Sequence, residues 1–239
     1  MLSRRDQLLI LMNPLLSRPA AAAAAGWWTV AGKTCVAAYQ PIGAASLAAS
    51  YSNLANPGTY DASPGTAPTF DAENGWTYSG EHNGMGIGSP ITGTGARTII
   101  VRYNSDNTNS AGMVALYGSD ADDTAGAYFT FTPEIAVRVS DGNILWSSEG
   151  TTSEVVACIT GPSAGSTTDL TLYINGSAVS AADSSSAQAY DTKGPGSIAD
   201  GALAGSADYS GVISAIAIYS GELSAGEVAS LSTAMAALS

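Results

Sequence analysis

Charge is scarce in this chain, and positive charge most of all. Only 12 % of its 239 residues are charged, and 8 Lys and Arg stand against 20 Asp and Glu, for a net charge of −12. Basic residues so few and so scattered cannot form a phosphate-binding stripe, which excludes nucleic acid as a partner. The same shortage excludes attraction to an anionic membrane surface. Histidine is almost missing. The one copy, His82, sits in the glycine-rich stretch "GEHNGMGIG", and no G-x-S-x-G elbow occurs anywhere. Ser-His-Asp catalysis therefore has no framework, and His82 reads as a solvated loop residue. The glycines of that stretch are not followed by a helix pattern, so they are no dinucleotide fingerprint and read as a loop. Cysteine occurs twice, at Cys35 and Cys158, in neither a C-x-x-C pair nor a Cys/His cluster. A structural zinc site is thereby excluded. Both lie in apolar, strand-like runs ("TCVAAY", "VVACIT") and read as buried free thiols; a disulfide would require those two strands to be neighbours. No apolar run is long enough to span a bilayer.

What the chain has is strand and turn chemistry. "RTIIVRY" (97–103), "GMVALYG" (112–118), "EVVACIT" (154–160) and "GVISAIAIYSG" (211–221) are short apolar or alternating runs. In 127–148, Asp141-Gly142 stands between "IAVRV" and "ILW"; in 169–181, Asn175-Gly176 stands between "LTLYI" and "SAVSA". Such pairs mark hairpins, because both turn positions need positive φ. The count comes to about ten to twelve strands, which predicts an all-β, antiparallel sandwich. Residues 41–70, rich in Gly, Pro, Ser and Asn, read as long loops. One segment has helical period: Val228, Leu231, Met235 and Leu238 recur at steps of three and four, and Ser224 with Glu227 makes a capping box. A C-terminal helix laid on the sandwich is expected. Trp76 and Trp146 fall in strand patterns and read as core.

The order of the last elements resembles the laminin-G-like (concanavalin A-like) jelly-roll family. A strand of the type "LYVNG" is matched by Leu172 to Gly176. A later "GxIDEVRIYNRALSAEEI" is matched by Gly211, Ile213, Ile218, Tyr219, Leu223, Ser224, Ala225 and Glu227. "TFDAENGWTYSG" (69–80) and "RTIIVRYNSD" (97–106) are similar to earlier family strands. The likeness covers about residues 33–237 and implies a jelly-roll β sandwich. The family's acidic pair is Ser214-Ala215 here, so a site built on those acids does not carry over. The opening "CVAAYQPIGAASLAASYSNLANPGTYDA" also resembles laminin-G-like proteins of tailed bacteriophages. Retaining glycosidases of this fold carry E-x-D-x-x-E, two carboxylates facing one cleft. No E-x-D-x-x-E occurs among the glutamates here (Glu73, Glu81, Glu134, Glu149, Glu154, Glu222, Glu227), so no enzymatic activity is expected.

Residues 1–26 stand apart from the domain expected over 27–239. Arg4 and Arg5 precede "LLILM" and then six alanines, the order of a secretion signal, and "SRRDQLLI" resembles a twin-arginine signal. Against that reading, Asp6 adds an acid, Asn13-Pro14 breaks the apolar run and Arg18 charges the gap before the alanines. The segment reads instead as a retained arm: a short helix over 3–12 and an Ala-rich tether. Arg4, Arg5, Leu8, Leu9, Leu11 and Met12 would dock it to sister subunits or other virion proteins, in a homo-oligomer. Trp27 and Trp28, at the junction, are candidates for glycan or partner contact. Asp120, Asp122 and Asp123 in "SDADDTAG" are candidates for a calcium loop, against a merely solvated one; no other cofactor is expected. The expectation is thus a non-enzymatic virion structural or adhesion module of a bacteriophage, possessing an outward jelly roll that binds host-surface glycans. The alternative is an exported carbohydrate-binding module with a cleaved signal.

Overall fold

The computed structural model describes residues 26–80, 84–105, 154–163, 169–180, 196–199 and 209–239 with their side chains, and 111–116, 127–131, 135–139, 142–145, 183–184 and 207–208 as backbone. Two sheets account for the fold. The first contains β1 (Cys35–Tyr39), β3 (Thr69–Asp71), β4 (Gly75–Ser79), β6 (Arg97–Ser105), β11 (Val155–Gly161), β12 (Thr171–Ile174), β13 (Ser177–Val179) and β17 (Ser210–Tyr219). Its order is β13-β12-β11-β6-β17-β4-β3, and β1 continues the β4 side of β17. The second contains β2 (Ser63–Pro64), β5 (Met85–Gly88), β7 (Ala111–Leu116), β8 (Ala127–Phe131), β9 (Ile135–Val139), β10 (Gly142–Leu145), β14 (Asp183–Ser184), β15 (Gly196–Ile198) and β16 (Ala207–Asp208). Its order is β14-β10-β9-β8-β7-β15-β5-β2. Among the described residues every pairing is antiparallel except the short β16–β7 bridge. Chain neighbours are often not sheet neighbours, so the strands cross between the layers. The result is a concanavalin A-like sandwich of mostly antiparallel sheets with a C-terminal helix.

The pleat explains why the first sheet's sequences are so apolar. Side chains alternate between faces, and here both faces are covered. Ile99, Val101 and Tyr103 of β6, Val155, Ala157 and Ile159 of β11, and Ile216 and Ile218 of β17 join Trp76, Tyr78, Met85, Ile87 and Ile198 in the core between the sheets. The alternate positions, Ile100, Val156, Cys158, Ala215, Ala217 and Tyr219, form a second cluster on the outer face. Helix α2 (Ala225–Ala236) covers it with Val228, Leu231 and Met235. Its capping box is complete: Glu227 accepts from the Ser224 amide at 2.7 Å, and Ser224 Oγ accepts from the Glu227 amide at 3.4 Å. The hairpin at Asn175-Gly176 is also present, both residues having positive φ (49° and 81°) and Ile174 facing Ser177. In the other hairpin Gly142 already belongs to the strand, opposite Val139.

Three expectations change. The described residues hold seventeen strand segments, more than the pattern count, because two- and three-residue pieces such as β2, β14 and β16 are too short to show a period. The glycine-rich stretch is a strand from Met85 onward: Met85 and Ile87 point into the core and the intervening glycines face out. The 41–70 segment is ordered by a short helix α1 (Leu47–Ser50) capped by Ser46, and by Asn53. The Asn53 side chain is fully buried. Its Oδ1 accepts from the amides of Ala38, Ala55 and Asn56, and its Nδ2 donates to Val36 O and Thr59 O. Among the described residues no helix is long and apolar enough to cross a membrane.

A candidate binding cleft on the outer face of the first sheet

A polar cleft of about 250 Å³ opens on this outer face, beyond the end of α2. It is lined by Ile42, Glu73, Asn74, Arg102, Asn104, Glu154, Val212 and Ser214. A β-bulge builds it. The β17–β6 register slips between Ile213 and Ala215, so Ser214 is the extra residue, and bulges re-aim side chains in this way. Ser214 Oγ lies 3.0 Å from Asn74 O and 3.3 Å from Glu154 Oε1, and its one proton is shared between them. The bulge also demands glycine opposite. Gly75 has φ +110°, and a Cβ there would stand 2.5 Å from Ile213 O. Ser214, Ile42 and Arg102 are the buried floor; Glu73, Asn74, Asn104 and Glu154 are the exposed rim.

Arg102 ties the cleft to the helix. Its Nη1 donates to Met235 O (3.0 Å) and Leu238 O (2.7 Å), and its Nη2 to Glu154 Oε2 (2.9 Å). A cation at the C-terminal carbonyls of a helix also meets the negative end of its dipole. The Nε–H of the same guanidinium is buried and has no partner among the described residues. Arg102→Leu is therefore expected to lower stability by about 1.5–3 kcal/mol, the scale of lost hydrogen bonds to a charged group, with chemical denaturation as the readout. Glu154 remains partly solvated, so the variant leaves no deeply buried lone charge. A loss under half a kcal/mol would show that the helix end does not depend on Arg102.

Chemically the cleft is a set of hydrogen-bond donors and acceptors. Glu154 has one oxygen on a cation and the other beside a hydroxyl, which makes it an acceptor. The sequence reading missed all of these residues as a group, although an arginine in the middle of "RTIIVRY" was a visible signal.

The other candidate residues fall as follows. Trp27 and Trp28 are half-buried, edge to face with ring centroids 5.7 Å apart, and both rest on the outer-face cluster. Trp27 Nε1 donates to Gln40 Oε1 at 2.8 Å, and Tyr219 Oη donates to Trp28 O at 2.7 Å. Trp27 also lines a second groove, of about 560 Å³, along α2, with Val30, Leu231 and Ala234. Trp76 is core, as expected. Cys158 and Cys35 are free; Cys158 is buried and Cys35 only half so. Burial pushes the Cys35 thiol up to about 12 and raises Cys158 as well, so both are poor nucleophiles. Arg4, Arg5, Leu8, Leu9, Leu11, Met12, His82, Asp120, Asp122, Asp123 and Trp146 lie outside the described residues. Among the described residues no three His, Cys, Asp or Glu side chains gather as metal ligands.

Two mostly antiparallel sheets, the first carrying a C-terminal helix on its outer face, define a concanavalin A-like sandwich. The family model described as Concanavalin A-like lectin/glucanases superfamily, of laminin G type, matches residues 79–229, and the chain belongs to that family. No curated protein matches the sequence. Solved structures share the fold at low identity. A Trypanosoma rangeli sialidase with the inhibitor DANA aligns at TM-score 0.61 and 12 % identity, over 86 % of this chain and 33 % of the sialidase. Domain 4 of the extracellular arabinanase AbnA from Geobacillus stearothermophilus, in complex with arabinotriose, aligns at TM-score 0.54 and 13 % identity, over 84 % of this chain and 98 % of that domain. Botulinum neurotoxin type C, whose cell entry is described as dependent on two ganglioside molecules, aligns at TM-score 0.60 and 10 % identity, over 84 % of this chain and 51 % of the other. The chain thus spans about a third of the sialidase and half of the toxin structure.

Proposed function

We propose that this protein is a non-catalytic carbohydrate-binding module of a bacteriophage virion, presenting its sandwich outward and held to its neighbours by residues 1–25. The observation that supports binding most directly is the outer-face cleft. It sets a rim of amide and carboxylate groups on a buried floor with an unpaired Arg102 Nε–H, on a sheet stiffened by packing on both faces. Two of the structural neighbours are described with sugars, arabinotriose and gangliosides, which favours the same class of ligand. The absence of an E-x-D-x-x-E pattern, and the ion pairing of Glu154, favour binding without turnover. The virion assignment rests on the likeness of the 35–62 segment to phage laminin-G-like proteins. The arm reading rests on the apolar run Leu8 to Met12 behind Arg4 and Arg5.

The test has two parts. The full chain should be retained by an immobilised polysaccharide and release no reducing ends from it; turnover abolished by changing one glutamate would make it a hydrolase. The full chain should co-sediment with particles, and Leu9→Asp with Leu11→Asp should abolish that without unfolding the sandwich. A purified mass short by about 25 residues would instead favour an exported module, the reading suggested by the signal-like order of residues 1–25.

A further inference from the structure

We infer that the outer-face cleft takes an uncharged sugar residue and turns away sialic and uronic acids, an inference that rests on the carbohydrate-binding reading above. Size comes first. About 250 Å³ is below the roughly 300–1,000 Å³ of drug-sized sites, which leaves room for a single ring. Hydrogen-bonding character comes next. A sugar hydroxyl both donates and accepts. The rim offers both kinds of partner: the amides of Asn74 and Asn104 donate and accept, and the carboxylates of Glu73 and Glu154 accept. The Arg102 side chain is about nine-tenths buried, and its Nε–H has no acceptor among the described residues. A buried donor left unpaired costs about 1–3 kcal/mol, a cost that a ligand oxygen drawn into the floor would relieve.

Charge then selects among sugars. Sites for carboxylates use the guanidinium fork, two parallel donors from one arginine. Here Nη1 gives both of its N–H groups to the last carbonyls of α2, and Nη2 gives one to Glu154, whose carboxylate already pairs the charge. What remains toward a ligand is a single neutralised arginine beside two carboxylates. The other two cations described with side chains are occupied elsewhere. Lys33 holds Glu222 O and Glu227 at the start of α2, and Arg97 holds Gly93 O and Gly95 O. The chain as a whole is also strongly acidic. An acidic sugar would enter a field of its own sign.

The experiment is titration calorimetry of the full-length protein with arabinotriose, lactose and sialyllactose at low and high salt. An uncharged sugar should bind and sialyllactose should bind at least roughly fivefold more weakly, the difference shrinking in salt. Asn104→Leu changes an exposed side chain and should weaken the uncharged sugar about tenfold. Glu73→Lys, also exposed, should raise sialyllactose affinity roughly fivefold. Sialyllactose binding as tightly as lactose, and still dependent on Asn104, would overturn the selectivity while leaving carbohydrate binding intact. Sugar binding indifferent to Asn104→Leu would place the sugar elsewhere and overturn the assignment. Binding of none of the three probes would defeat the carbohydrate reading of this cleft itself.

Discussion

Trp76→Ala is expected to cost about 3–5 kcal/mol of stability, the scale for removing a large aromatic side chain from a packed core. Trp76 has no exposed surface and sits in β4 at the centre of the inter-sheet cluster. Its ring packs against Tyr39 and Tyr51, with centroids 6.2 and 6.1 Å away. Its Nε1 donates to Ser50 Oγ at 2.7 Å, and Ser50 Oγ in turn donates to Leu47 O at 2.6 Å. One residue therefore couples the core to α1 and to the segment around Asn53. Removing it opens a cavity that the sheets on either side cannot close. The measurement is the urea midpoint at unchanged slope. Trp76→Phe should lose appreciably less, because most of the volume stays. A loss below about 1 kcal/mol for the alanine variant would mean the core does not depend on this ring.

The second large effect is expected at the outer face. Val228→Asp should destabilise by about 2–4 kcal/mol, because it removes a buried side chain and places a carboxylate where no partner waits. Val228 is fully buried and packs with Leu231 and Met235 against the Ile100, Val156 and Cys158 surface. Ser230→Asp lies on the exposed side of the same helix and should stay within half a kcal/mol. Equal effects at the two positions would show that α2 does not cover the sheet. Protease cutting within 225–236 in the Val228 variant only would show the helix detaching.

Much of the scaffold was legible because its signals are local. Alternation in "RTIIVRY", the Asn-Gly pair at 175–176 and the Ser224/Glu227 box each act over a handful of residues, and each is where expected. The glycine-rich 84–88 stretch was misjudged because glycine is a turn signal by itself. Only its pairing with β2 and β15 makes Met85 and Ile87 core residues. Asn53 was likewise a loop residue by type. It became a buried hub because five backbone groups from Val36, Ala38, Ala55, Asn56 and Thr59 converge on it in space.

By itself, then, the sequence determined the strand and helix types, their turns, their family and the want of basic charge. These follow from side-chain period, φ preference and composition, which need no neighbour distant in the chain. Tertiary structure alone decided that the central sheet is buried on both faces, since two apolar clusters exist only once α2 and the second sheet have packed. It alone decided the cleft. Glu73, Arg102, Glu154 and Ser214 come from four separated segments. They meet because a one-residue slip between β17 and β6 turns Ser214 toward Asn74 and Glu154, and because the end of α2 and Glu154 hold the guanidinium between them.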